Sequence, residues 1–246
     1  MLTQSYVVNL VLTLVASLIA LSVHEFFHGY TAYKLGDDTA KSMGRLSINP
    51  IRHIDPIGAL CMVFFHFGWA KPVPINPRNF EKPRAHFAIS ALAGPLSNIL
   101  LGFLCAPLYL LLAKALTYTN NAFLNTLTYN TALFFGLFHL VNIGLGVFNL
   151  IPIPPFDGSR IVNVLLPRKW YFKIMKYEKK IYFGVLGWML LGNYIYSALI
   201  SLSFIKSSAF LSGFVRIFSL TGLISDAINF ISRLILNFWQ LIPFLS

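Results

Sequence analysis

The chain has 246 residues, of which 57% are hydrophobic and only 11% charged, and its formal net charge is +11. A soluble domain carries about 25% charged residues, so these figures, with a mean hydropathy of +0.69, exclude an ordinary soluble fold and indicate an integral membrane protein. The two cysteines, Cys61 and Cys105, lie in apolar surroundings and outside any paired spacing, which excludes a disulfide framework or a cysteine zinc knuckle.

The first apolar run, Tyr6 to Val23, has no basic residue ahead of it, unlike a signal peptide. Its helical pattern continues to Tyr33, giving a helix of roughly 42 Å against a hydrocarbon core of ~30 Å. Near its end stands "HEFFH", with His24, Glu25 and His28. Residues 54–70 are short and broken by Pro56, Gly58 and Gly68, and read as a re-entrant or interfacial segment. Spanning helices follow at about 86–112, kinked at Pro107, at 131–151 and at 181–205. From Ala209 to Ser246 polar residues such as Arg216, Asp226, Arg233 and Gln240 fall on one stripe, which predicts an amphipathic helix on the interface or against the bundle. A fifth spanning helix there stays open. The fold class is an all-α, polytopic membrane bundle with a re-entrant segment and a C-terminal amphipathic helix. Residues 1–206 form the membrane domain and 207–246 the amphipathic segment.

Fifteen of the nineteen basic residues, from Lys34 to Lys180, lie in loops on one side of this topology, and the stretch from Ala115 to Asn130 on the other side has no charge. By the positive-inside rule the basic side is cytoplasmic. The positive charge therefore needs no nucleic-acid partner.

On a helix, residues i and i+4 share a face, so His24 and His28 can offer two imidazoles to one metal ion while Glu25 reaches a water bound there. A carboxylate inside a bilayer costs about 2.5–3.5 kcal/mol on insertion scales, which disfavours an idle Glu25. A catalytic zinc takes three protein ligands. Of the eight acids, Asp37, Asp38, Glu81 and Glu178 sit in charged loops, Asp55 opens the re-entrant segment and Asp226 belongs to the tail. Asp157 remains, in "FNLIPIPPFDGSR", where three prolines forbid regular helix and Gly158 permits a sharp turn. A plain loop whose aspartate caps the next helix is the alternative.

With "AGPLSN" on the second helix and "FNLIPIPPFDG" after the third, in that order behind "HEFFH", the chain resembles the site-2 protease family of intramembrane zinc metalloproteases from its first helix to about Leu166. The stretches "GRLSINPIRHIDPIG" and "FGWAKPVPINP" are similar to its small bacterial branch, without PDZ-like or nucleotide-sensing modules. The resemblance implies one zinc held by His24, His28 and Asp157, with Glu25 as the catalytic glutamate. It also implies Asn98 and Asn149 near the metal, where amide donors could hold a substrate carbonyl or oxyanion. Asn142 lies two turns from Asn149 on one face, either serving the site or bonding between helices. His53, His66, His86 and His139 lack a second ligand at helical spacing. Gly94 and Pro95 read as allowing close helix packing.

The expected activity is hydrolysis of peptide bonds within or near transmembrane segments, in regulated intramembrane proteolysis or membrane-protein clearance. The expected partners are membrane-spanning substrates and the lipid bilayer. The expected place is a bacterial inner membrane, with the site toward the cytoplasm and the re-entrant segment offering an extended edge to unwound substrate. Two other classes compete. A silent scaffold that binds client helices is disfavoured by the intact His24, Glu25, His28 and Asp157, and a transporter ion site by the lack of an internal repeat.

Overall fold

The computed structural model describes residues 2–58, 60, 70–116, 121–216 and 219–245. Helix α1, Leu2–Lys34, carries the HExxH pattern in its last three turns. It stops at Gly36, whose φ of 104° suits glycine. The Gly36 N–H donates to Tyr33 O and the Asp37 N–H to Ala32 O, the paired bonds of a Schellman stop. That stop fixes where Asp37 leaves the helix.

Helix α2, Pro83–Ala115, begins on a proline, which tolerates the first helical position because its missing N–H would be unpaired there. It runs as one helix through Pro95 and Pro107. Helix α3, Ala122–Asn149, starts nine residues before the position read from hydropathy. The side chain of Asn121 accepts from the Phe123 and Leu124 N–H groups, so a capped polar turn extends the helix into what reads as an uncharged loop. A short helix α4, Asp157–Leu165, follows the proline-rich break. Helix α5, Arg168–Ile200, also begins early, because the basic and aromatic residues 168–180 are helical rather than loop. Among the described residues α1, α2 and α3 are long and apolar enough to cross a membrane, and α5, bent by 40°, makes a fourth where its two parts count as one span.

Helices α1, α2 and α3 pack around Ala16, Ala20, Cys105 and Phe138. Small residues bring the backbones together: a Cβ on Gly146 would stand 2.6 Å from Ile99 and 3.0 Å from Pro95 O. The tail forms helix α6, Leu220–Gln240, which lies against α2, α3 and α5. Ile235 packs with Ala106 and Ile143, the Trp239 indole donates to Phe103 O at 3.0 Å, and Ser232 Oγ meets His139 Nε2 at 2.7 Å. The amphipathic tail thus packs on the bundle.

The re-entrant segment read at 54–70 lies largely outside the described residues. Its ends come together, Ile54 and Ala70 forming an isolated antiparallel bridge, with the Lys71 N–H donating to His53 O at 2.8 Å. Beyond that bridge a proline-rich strap, residues 70–77, returns across α1 to the start of α2.

Candidate metal centre

The one-turn spacing on α1 turns His24 and His28 to the same side, their rings perpendicular with centroids 4.5 Å apart. Each ring is held from behind. His24 Nδ1 lies 2.6 Å from Asn98 Oδ1 and His28 Nδ1 lies 2.7 Å from Ser90 O, both on α2. These partners only accept, so Nδ1 carries the proton on each ring and Nε2 the lone pair. The two Nε2 atoms face each other at 2.9 Å.

Asp157 completes the cluster. Phe156 takes the N-cap position of α4 without a side-chain cap bond, and Asp157 is the first helical residue rather than its cap. Its Oδ2 sits 3.1 Å from His24 Nε2 and 3.2 Å from His28 Nε2. The turn requires glycine next, since a Cβ on Gly158 would lie 2.2 Å from Leu150 O and 2.5 Å from Ile151 O. Three electron-pair donors converge here, and they would repel one another without an electrophile between them. Ligand atoms around a tetrahedral zinc are spaced by roughly 3.3 Å, so the observed triangle fits that cation. Among the described residues this is the one group of histidine, cysteine, aspartate or glutamate side chains close enough to hold a metal ion.

The other acids are accounted for otherwise. Glu178 pairs with Arg160 and Asp226 with Arg216. Asp55 accepts from the Ile57 and Gly58 N–H groups. Asp38 and Glu81 are exposed, and Asp37 is buried in a network of its own. His53 bonds Ser47 O, and His139 bonds Gly102 O and Ser232. His66 and Cys61 lie outside the described residues.

Glu25 projects beside the cluster, where its Oε2 accepts the Val73 N–H at 2.7 Å. It lines a cavity of about 230 Å³ together with His24, Asn149, Phe156, Tyr182 and Met189. Asn149 back-bonds to Leu145 O at 3.0 Å and reaches this cavity.

Asn98 differs from expectation, and Asn142 takes the second of the two roles open to it. Asn98 is fully buried, with Oδ1 on His24 and Nδ2 donating to both Ala20 O (3.1 Å) and Asn142 Oδ1 (2.8 Å). Its donors are spent, so it orients the His24 ring instead of presenting an amide to substrate. Asn142 is equally buried and bonds Asn98 and Phe138 O, which is the interhelical role and not a place in the cavity. Gly94 allows the close helix packing read from the sequence, and the contact falls on the two histidines. A Cβ there would stand 2.4 Å from His28 Nε2 and 2.9 Å from His24 Cε1, so α2 approaches the two imidazoles only because the residue is glycine.

A profile of peptidase family M50 matches residues 12–191. The chain is 41% identical over 188 residues to a Bacillus subtilis protein named "Putative zinc metalloprotease YwhC", covering 76% of this chain and 83% of that one. It is 30% identical over 162 residues to "Putative zinc metalloprotease Rip2" of Mycolicibacterium smegmatis, covering 63% of this chain and 57% of that one. No solved structure matches.

Proposed function

The chain belongs to peptidase family M50, the site-2 protease family, and we propose that His24, His28 and Asp157 hold its zinc while Glu25 is the general base. That it is a zinc metalloprotease and an integral membrane protein follows from the family and the apolar helices. The observation that carries the residue assignment is the convergence of two imidazole lone pairs and a carboxylate oxygen at 2.9–3.2 Å, one residue away from a glutamate that lines a cavity.

Zinc held by His24, His28 and Asp157 would supply a water acidified to a pKa of about 7 and polarise a substrate carbonyl. Glu25 would accept the proton of the attacking water as its oxygen bonds to the peptide carbon, and would return a proton to the leaving amine as the C–N bond breaks. Asn98 and Ser90 O keep the imidazoles in the ligating tautomer. Asn149 offers the remaining amide hydrogen to the substrate from the cavity wall.

The substrates we infer are transmembrane segments of other membrane proteins, cut within or near the bilayer in regulated proteolysis or clearance. His24 stands ten residues, about 15 Å of helix, before Lys34, and the cavity lies at that depth. A spanning substrate is helical and must unwind locally to expose a carbonyl. The concentration of basic residues at the ends of α1, α2 and α5 nearest the site supports a cytoplasmic-side site, and the bacterial relatives support an inner membrane.

Purified wild type and Glu25→Gln, compared for zinc content and for cleavage of a single-span substrate in lipid, test this. Equal zinc and a fall of about 10²- to 10⁴-fold in cleavage are expected. Equal cleavage by both would remove Glu25 from the reaction.

A further inference from the structure

We propose that Asp37 is a positioning residue of the active site: it fastens the proline-stiffened strap whose Val73 amide orients Glu25. This rests on Glu25 being the general base.

Asp37 is 0% exposed, and none of the ion pairs among the described residues includes it. A buried carboxylate without a cation is costly unless its oxygens are saturated by donors. Here they are. Oδ1 accepts from Asn79 Nδ2 at 2.7 Å and from the N–H and hydroxyl of Thr39, and Oδ2 accepts from the Asn76 N–H at 2.7 Å. The Thr39 bonds are local to the turn. Those from Asn76 and Asn79 reach across more than thirty-five positions of chain to the strap and its end.

The strap reads Ala70-Lys71-Pro72-Val73-Pro74-Ile75-Asn76-Pro77. Proline fixes φ near −65° and has no N–H, so only Val73, Ile75 and Asn76 can donate between Pro72 and Pro77. Two of those three donors end on carboxylates: Asn76 on Asp37, and Val73 on Glu25. Only Pro74 and Ile75 lie between them, so fixing the Asn76 amide limits where the Val73 amide can lie. Further back Arg45 donates to Lys71 O at 2.8 Å and Pro72 O at 3.3 Å, which fixes the other end.

The strap is also pressed against the helix that carries the base. A Cβ on Gly29 would lie 2.9 Å from Val73 Cγ1, and Gly29 is one turn from Glu25 on the same face. Among the described residues the Val73 N–H is the single hydrogen-bond partner of Glu25. Holding Oε2 leaves Oε1 to receive the proton of the attacking water. Release of the strap would free the carboxylate to rotate, and misplacement by about 1 Å can cost 10²-fold in rate.

The full-length protein in lipid, loaded with zinc, tests this with Asp37→Asn, which keeps the volume but points an amide donor at donors. The expected result is unchanged zinc content, KM within about twofold of wild type and kcat lowered about 10- to 100-fold. Asp38→Asn removes the same charge from the exposed neighbour and leaves kcat unchanged. Asn79→Ala, which deletes one donor and spares the carboxylate, gives a smaller loss in kcat alone. If Asp37→Asn does not fold, Asn79→Ala decides by the same split. Wild-type kcat in the folded variant, or a rise in KM or loss of zinc with kcat preserved, overturns the proposal. Glu25→Gln at wild-type rate defeats the base assignment instead, and is read separately from either Asp37 variant.

Discussion

Asp157 leaves solvent partly and Asp37 completely, and the two carboxylates differ in what faces them. Around Asp37 every partner is a donor: two backbone amides, a hydroxyl and a side-chain amide. Around Asp157 the partners are two imidazole nitrogens whose protons are held on the far side of their rings. A carboxylate met by donors is complete and ties chain to chain. One that converges with other lone pairs is complete only with a cation. Burial and residue type do not separate these cases, but the direction of each hydrogen bond does.

Removing ligands should break the comparison most severely. His24→Ala combined with His28→Ala leaves one donor of three, and zinc in the purified protein is expected to fall to background. Asp37→Ala is expected to retain it in full. Elemental analysis of both decides, and near-stoichiometric zinc in the double-histidine variant would return the cluster to a buried hydrogen-bond network.

Gly94→Ala should come next, because it attacks the same nitrogens without touching a ligand. The methyl would stand 2.4 Å from His28 Nε2, and it hangs from the α2 backbone, so the imidazole must yield. Overpacking of this kind costs about 1–3 kcal/mol, and zinc and cleavage are expected to go together. Gly144→Ala, whose methyl would meet Ile228 at an ordinary 3.6 Å, provides the control. Retained zinc in Gly94→Ala would show that α2 does not press on the site.

Asn98→Ala should be milder still. It removes the acceptor behind His24 but leaves all three ligands, and loss of such a partner typically weakens metal binding 10- to 100-fold. A chelator titration followed by zinc release measures it. Asn149→Ala is expected to leave that titration unchanged and to alter cleavage only, which separates the residue behind the ligand from the one in the cavity wall.

The His24, His28 and Asp157 cluster was legible in the sequence and the strap was not, for a physical reason. His24, Glu25 and His28 lie within one turn of an apolar helix, and Asp157 stands where prolines forbid helix, so local rules suffice to single them out. The metal fit of the triangle, by contrast, needs α2 at Gly94, and nothing in residue type says which histidine nitrogen Asn98 will meet. Asn98 and Asn142 are amides on facing helices, equally able to bind substrate or each other, and only the packing of α2 on α3 spends them. Asp37 reads as a charged loop residue beside Asp38, because its burial arises from Asn76 and Asn79, distant in the chain. Helix starts at 122 and 168 were missed where a capped or basic turn lies outside the apolar run.

The smallest expected effect lies in how the stability due to Asp37 varies with pH. Burial pushes its carboxyl up, but the hydrogen bonds from Thr39, Asn76 and Asn79 outweigh that and hold it below the ordinary carboxylate range. A depressed pKa in the folded state means that the ionised group stabilises the protein fully above the unfolded value, and that the contribution is lost as pH falls through the folded one. At neutral pH, Asp37→Asn should unfold more easily than wild type by about 1–3 kcal/mol, as expected for a carboxylate with buried donors. The gap should stay constant from pH 7 to 5 and narrow below pH 3.8. Subtracting the variant cancels the titration of the metal cluster, which both proteins share. Unfolding in detergent at pH 7, 5, 4 and 3 gives the measurement. A gap that widens toward acid would mean that burial, not the donors, controls Asp37, and that the strap is held by a neutral acid whose grip on the Asn76 amide is too weak to set Val73.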